Sequence, residues 1–252
     1  MAAVSYDSIA VLKNFADRQH ITYPLLSDQG SKIIRAYEIL NETIKPGTST
    51  YGIPYPGIYV VDAHGRVVSK YFEDDYEDRI ATGDILVRQF GASVDAARGT
   101  VETKHLQITT AASNGVARPG LRIALSLDIE LKPDMHVYAA GVQGYIPVDW
   151  RLEQGGPAAK RHAFEYPQSE MLRLEAIGET VAVYRRHIRI LREITFGQEA
   201  FLKSLVSPGG ELIVRGSFRY QACDDRKCYV PQEVPLEWRF KYEGLDRQPV
   251  PR

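Results

Sequence analysis

Cysteine is scarce in this chain: 252 residues contain two, Cys223 and Cys228. A disulfide-stapled scaffold needs more bridges than two cysteines can supply, so that class is excluded. Excess positive charge is also missing. Thirty-one Lys and Arg stand against 32 Asp and Glu, for a net charge of -1. No segment holds the basic block that phosphate neutralisation requires, so nucleic acid is not an expected partner. Long hydrophobic runs are absent too; stretches such as Gly57 to Val61 fall far short of the ~20 apolar residues of a spanning helix. The opening residues, Met1-Ala-Ala-Val-Ser-Tyr-Asp7, lack the charged and apolar regions of a secretory signal, and as it stands the sequence reads as cytoplasmic. What is present is an ordinary globular composition, 44% hydrophobic and 25% charged, which excludes wholesale disorder and fibres. At ~150 residues per domain the length predicts one or two domains. The informative feature is that both cysteines fall within six positions of each other.

Over residues 1–92 helix and strand signals alternate. Ser8 is placed to cap a helix running to about Gln19, with Ile9, Leu12, Phe15 and Ala16 forming one apolar stripe. Asp28 is the expected cap of a second helix whose buried face is Ile33, Ile34 and Tyr37, ended by Pro46-Gly47. Gly57 to Asp62, a turn at Ala63-His64-Gly65, and Arg66 to Phe72 predict a β-hairpin. Residues 76 to 90 predict a closing helix, and the small, polar stretch 93–103 a linker. From 104 to 252 the period changes to two. Leu121 to Leu131 alternates almost without fault, and His105 to Thr110, His136 to Ala140, Val181 to Leu191, Glu211 to Tyr220 and Val234 to Tyr242 read as further strands. Six or more such strands between Pro and Gly clusters predict an antiparallel β-sandwich.

Several residues have plain structural readings. His20, His64, His105, His162 and His187 are scattered, whereas His136 stands two residues before Tyr138. Asp62 and Gly65 are turn residues. The acidic run Glu73 to Asp78 lacks the ligand alternation of a calcium loop and reads as a solvated helix start. No second Cys or His pair accompanies Cys223 and Cys228, so a zinc site fits poorly and no metal is expected.

Two stretches resemble known families. Val4-Ser-Tyr-Asp7, Tyr23-Pro-Leu-Leu-Ser-Asp28 and Tyr51-Gly-Ile-Pro-Tyr-Pro-Gly-Ile-Tyr-Val-Val-Asp62 resemble the later part of an AhpC/TSA redoxin domain of thioredoxin-like fold. That resemblance implies a cis-proline at Pro56, with Pro54 the lesser candidate. In the family a reactive cysteine opens the first long helix, where N–H groups and the macrodipole stabilise a thiolate. Here no cysteine precedes position 223, so peroxidase activity does not carry over.

Phe218-Arg-Tyr-Gln-Ala-Cys-Asp-Asp-Arg-Lys-Cys-Tyr-Val-Pro-Gln-Glu233 and Lys132-Pro-Asp-Met-His-Val-Tyr138 resemble the N-terminal periplasmic domain of the thiol:disulfide interchange protein DsbD. The resemblance implies an immunoglobulin-like sandwich whose redox-active pair is Cys223 and Cys228, with Tyr138 as an aromatic neighbour and His136, Tyr220 and Tyr229 close by. It also implies a cap loop over the cysteines, expected within Pro167 to Thr180, with Met171, Leu172 and Leu174 as candidate capping side chains. Partners would be other thiol-disulfide redox proteins, and the compartment would be the periplasm. In the family a membrane-embedded domain of the same polypeptide supplies the electrons, so here they are expected from a membrane donor on a separate chain or from a redoxin domain that has lost its cysteine helix.

The expected fold is therefore α/β plus all-β, a partial thioredoxin-like domain followed by an immunoglobulin-like sandwich. A four-residue loop, Asp224 to Lys227, can turn the chain sharply enough for a bridge. Arg226 and Lys227 beside Cys228 favour a thiolate, and Asp224 and Asp225 beside Cys223 oppose one; which cysteine attacks stays open. Thiol-disulfide exchange needs no organic cofactor. The alternatives are a binding or scaffold protein with a structural disulfide, and a peroxiredoxin-like enzyme completed by an upstream cysteine segment.

Overall fold

The computed structural model describes residues 1–48, 50–72, 79–80, 85, 96–164, 166–174 and 178–245. The chain divides into two units, Met1–Arg79 and Ile80–Leu245.

In the first unit, parallel strands β1 (Ala3–Ser5) and β2 (Leu25–Ser27) flank helix α1 (Ile9–Gln19). Ser8 Oγ accepts from the Val11 N–H, and His20 closes the helix in the left-handed region at φ 52°. Asp28 works as expected: its two carboxylate oxygens accept from the Ile33 and Ile34 N–H groups of α2 (Lys32–Ala36). Of that helix's predicted buried face, Ile34 alone is enclosed, and Ile33 and Tyr37 are exposed. Strands β3 (Gly57–Val61) and β4 (Val67–Phe72) form the predicted hairpin. Its turn is fixed by Asp62 Oδ1, which accepts from the His64 and Arg66 N–H groups.

Pro56 departs from expectation. Among the described residues no peptide bond is cis, so Pro56 is trans. The isomers of a prolyl bond differ by only ~0.5–1 kcal/mol, and the local pairing, Leu40 with Pro54 and the Tyr55 N–H to the Ile39 carbonyl, is satisfied by the trans form. The closing helix predicted over 76–90 lies outside the described residues, apart from Ile85 and the two-residue strand β5 (Arg79–Ile80).

The second unit is a β-sandwich of the immunoglobulin-like class. One sheet runs in the order β12 (Ala158–Arg161), β15 (His187–Phe196), β9 (Leu121–Leu131), β7 (Leu106–Ala112), β6 (Ala96–Glu102). The facing sheet is β11 (Asp149–Leu152), β16 (Glu211–Tyr220), β18 (Gln232–Tyr242), β8 (Val116–Ala117). Alternate residues Ile123, Leu125, Leu127 and Ile129 of β9 are fully enclosed on the core face, as two-residue periodicity demands, and Ala124 and Ser126 between them are buried too. They share one core with Trp150, Val214, Phe218, Trp238 and Phe240 of the facing sheet. Trp238 ties the sheets together by donating its indole N–H to the Ala111 carbonyl. A short helix α3 (Glu199–Leu205), which the pattern did not announce, buries Leu202.

Two expectations are corrected. Residues 96–102, expected within the linker, are strand β6, paired with β7 from Ala96–Ala112 to Glu102–Gln107. An edge strand buries little, so its small and polar residues read like a tether. Val181 to Leu191 is two strands, β14 (Glu179–Arg185) and β15, broken at Arg186, whose φ is 61°. The break sends β14 into a third sheet, ordered β13 (Glu170–Leu174), β14, β10 (His136–Tyr138), β17 (Ala222–Cys223), which carries the cysteines. The segment expected to be a cap loop is, over its described part, the hairpin β13–β14.

Candidate functional site

Cys223 and Cys228 are disulfide-bonded, with Cα atoms 4.0 Å apart. The backbone explains why they meet. The Tyr229 N–H donates to the Ala222 carbonyl and the Asp224 N–H to the Lys227 carbonyl, flanking the Cys223–Cys228 bridge. That makes the cysteines a non-hydrogen-bonded antiparallel pair, the arrangement that brings side chains closest.

Asp224 builds the loop between them. Its Oδ1 accepts from the Arg226 and Lys227 N–H groups at 2.8 Å each, and its Oδ2 accepts from the Tyr229 hydroxyl at 2.8 Å. Those bonds, led by the Tyr229 hydroxyl, hold the Asp224 carboxyl down to about 2. Lys227 lies over the Tyr229 ring, 4.9 Å from its centre. The charges flanking the cysteines in sequence are thus partly engaged in shaping the turn.

The two sulfurs differ in access. Cys223 is 1% exposed, in a cluster with Tyr138, Val181 and Val183 against which Leu172, Leu174, Val142 and Tyr145 pack. Cys228 is exposed. The Tyr138 hydroxyl lies 3.3 Å from Cys228 Sγ and 3.5 Å from Cys223 Sγ. Because disulfide sulfurs carry no proton, the phenol is the donor to both. Burial pushes the Tyr138 hydroxyl's pKa up, which keeps that proton in place. Its ring stacks on Tyr145 at 4.3 Å. Tyr145 in turn donates to Glu179, and that bond is the main reason its pKa is pushed up to about 12.

The remaining expected residues fall at different distances from the chemistry. His136 is 2% exposed, pairs across the strands with Cys223, and presents its ring edge-on to Tyr138. Its Nε2 is buried without a hydrogen-bond partner. Burial first, then the Arg185 charge, lowers its pKa against the opposing pull of Asp225 and Asp224. Tyr229 supports the loop rather than the sulfurs, and its ring meets His105 at 4.5 Å, tilted by 40°. Tyr220 turns into the main core, where its hydroxyl donates to Gln232 and meets Thr103. Pro56 belongs to the other unit. Sequence reasoning did not single out Tyr145; the signal for it is an aromatic residue closing the glycine-bearing loop Gly141 to Gly144 directly after the Tyr138 strand. Met171, one of three capping candidates, is 67% exposed, whereas Leu172 and Leu174 face the cysteine cluster. Among the described residues no group of three His, Cys, Asp or Glu side chains is assembled as for a metal, and no helix is long and apolar enough to cross a membrane.

The disulfide thus joins an exposed and an enclosed cysteine, the latter on the third sheet of an immunoglobulin-like fold. The sequence model described as thiol:disulfide interchange protein DsbD, N-terminal, matches residues 104–236, and the chain belongs to that family. The AhpC/TSA family matches residues 1–70. Together with the disulfide, these matches fit thiol-disulfide redox function in general. No curated protein matches the chain at a significant level. Solved structures similar to it include the N-terminal periplasmic domain of ScsB from Proteus mirabilis, at 13% identity and a TM-score of 0.40, covering 58% of this chain and 52% of that one. Another is the Neisseria meningitidis DsbD N-terminal domain in the reduced form, at 11% identity and a TM-score of 0.31, covering 52% of this chain and 82% of that one. The chain thus spans about half the length of the ScsB structure, 52% of it.

Proposed function

We propose that this protein exchanges electrons with other thiol-disulfide redox proteins through Cys223 and Cys228. The observation that carries the reading is the unequal access to the bridge, with Cys228 exposed and Cys223 enclosed. A partner thiolate reaches Cys228 Sγ, forms an intermolecular disulfide and breaks the internal one, and Cys223 leaves as a thiolate beside the Tyr138 hydroxyl. The partner's second thiolate then attacks the mixed disulfide at the partner's own sulfur. Cys228 is released, the partner is oxidised, and this protein has gained two electrons, with protons taken up by its two sulfurs. The reverse direction uses the same atoms: Cys228 attacks a partner disulfide and Cys223 resolves the mixed species.

The exchanging domain is the sandwich of residues 104–252, extended at its start by β6. The segment 1–92 contributes no thiol, because it contains no cysteine. The matched family argues for the periplasm as the compartment and for a membrane-embedded electron donor.

The test is equilibration of the protein in graded glutathione or dithiothreitol buffers with trapping of free thiols. A reversible two-electron midpoint between about -120 and -270 mV supports exchange, whereas a potential below about -300 mV makes the bridge structural and overturns the reading. In the same assay Cys223→Ala should accumulate a mixed disulfide through Cys228, and Cys228→Ala should accumulate far less.

A further inference from the structure

The exchange reaction leaves His136 without a task, yet its position is costly. It lies on β10, two residues before Tyr138 and on the same face, and the β10–β17 register sets it directly opposite Cys223. Directly opposed residues of an antiparallel pair have Cβ atoms about 4.5–5.5 Å apart and project to one side of the sheet. The imidazole is 2% exposed, and its Nε2 has no hydrogen-bond partner. A buried polar nitrogen without a partner destabilises the fold, and an apolar side chain would fill the place without that penalty. A bridged sulfur has no proton to offer an acceptor nitrogen. Reduction places a thiol proton on the residue opposite.

We propose that His136 accepts the proton of Cys223 in the reduced protein, so that the enclosed sulfur is held as a thiolate paired with an imidazolium. The inference rests on exchange at Cys223 and Cys228, and adds to it the destination of the buried proton. Four other groups bear on the pair. Arg185, opposite His136 on β14, disfavours the imidazolium. Asp224 and Asp225 in the cysteine loop favour it. The Tyr138 hydroxyl, 3.5 Å from Cys223 Sγ, is placed to share the thiolate. In the oxidised protein, burial and Arg185 favour the neutral imidazole, the form able to take a proton, over the opposing pull of Asp225 and Asp224.

The step balances with a partner disulfide as oxidant. The Cys228 thiolate bonds to one partner sulfur, and the other partner sulfur leaves as a thiolate. The Cys223 thiolate then bonds to Cys228 Sγ and breaks the bond to the partner. The second partner thiolate takes the imidazolium proton, His136 returns to neutral, and two electrons have passed to the partner.

The experiment is single-turnover oxidation of the reduced protein by oxidised glutathione across pH 5–10, with attack at Cys228 and resolution by Cys223 followed as separate phases. In His136→Asn and His136→Phe, resolution at pH 7 should slow about tenfold for each unit by which the Cys223 pKa rises, and recover at alkaline pH. Attack at Cys228 should change less than about twofold, because that thiolate is formed independently of His136. Resolution with an unchanged pH profile in both variants overturns the proposal and leaves exchange intact. Unsubstituted protein that does not exchange with glutathione at all overturns both. Independently of whether the variants fold, the His136 ring of the unsubstituted protein, followed by NMR, should titrate at higher pH in the reduced than in the oxidised form. An identical titration in the two forms overturns the proposal.

Discussion

The Tyr138 hydroxyl lies within 3.5 Å of both sulfurs. A phenol donates more strongly to a thiolate than to a disulfide sulfur, so its hydroxyl stabilises the reduced state and raises the reduction potential. Tyr138→Phe keeps the ring stacked on Tyr145 and removes only that donor. Its potential should become more negative by roughly 10–30 mV, because a net hydrogen bond contributes ~0.5–1.5 kcal/mol and ~30 mV corresponds to ~1.4 kcal/mol. The glutathione equilibrium reads this directly, and an unchanged potential would mean that the hydroxyl serves both redox states equally. Asp224 sets a different dependence. Its folded-state pKa of about 2 lies below the ordinary value of 3.8, so its contribution is complete above the unfolded value and is lost as pH falls through the folded one. Asp224→Ala should therefore lower the urea midpoint at pH 6, with the gap to the unsubstituted protein closing between pH ~4 and ~2. A gap that persists undiminished to pH 2 would show that the side chain's bonds to the loop are not what it contributes.

At the scale of elements, the hairpin β13–β14 decides how open the enclosed sulfur is. Leu172 and Leu174 point from β13 onto the cluster around Cys223. Truncating Leu172 to Ala removes part of that cover. If it weakens the hairpin's packing by ~0.5–1 kcal/mol, the open population and the rate at which Cys223 is alkylated in the reduced protein should rise ~2–5-fold. A rate unchanged from the unsubstituted protein would locate the barrier elsewhere. How far these elements were legible in the sequence depends on what each buries. The alternation of β9 and β16 was readable to the residue, because one face of each strand carries the large apolar side chains of the core and the other small or polar ones. The cysteine loop was readable because turn chemistry and spacing are local. The break at Arg186 was not, since alternation continues across it and only a left-handed backbone angle diverts the chain. Nor was β6, whose edge position lets small and polar residues serve as strand. The contrast between Cys223 and Cys228 was hidden too, because it comes from the register of β17 on β10, a long-range pairing that no local pattern encodes.

At the scale of the whole molecule, the two units hold cores of unequal size. In Met1–Arg79 the described apolar residues that are buried are Leu12 and Ile34. Burying each contributes ~1.5–3 kcal/mol, small against the ~1–2 kcal/mol of backbone entropy that every ordered residue costs. The sandwich instead encloses both tryptophans, Phe196, Phe218, Phe240 and the inward faces of β7, β9, β15, β16 and β18 in one cluster. Local stability follows the density of such contacts. Amide exchange followed by mass spectrometry should therefore be fast over α1, α2 and β1 to β4, and slowest over β9, β15, β16 and β18. Reduction of the disulfide should leave that order unchanged: a bridge closing so short a loop contributes only ~2 kcal/mol on the chain-entropy account, too little to unfold the sandwich. Protection that collapsed across β9 and β16 on reduction would make the bridge a structural staple and count against its use in exchange. Protection lost only near β10, β13, β14 and β17 would be the behaviour of a site opened by its own chemistry within a fold that does not depend on it.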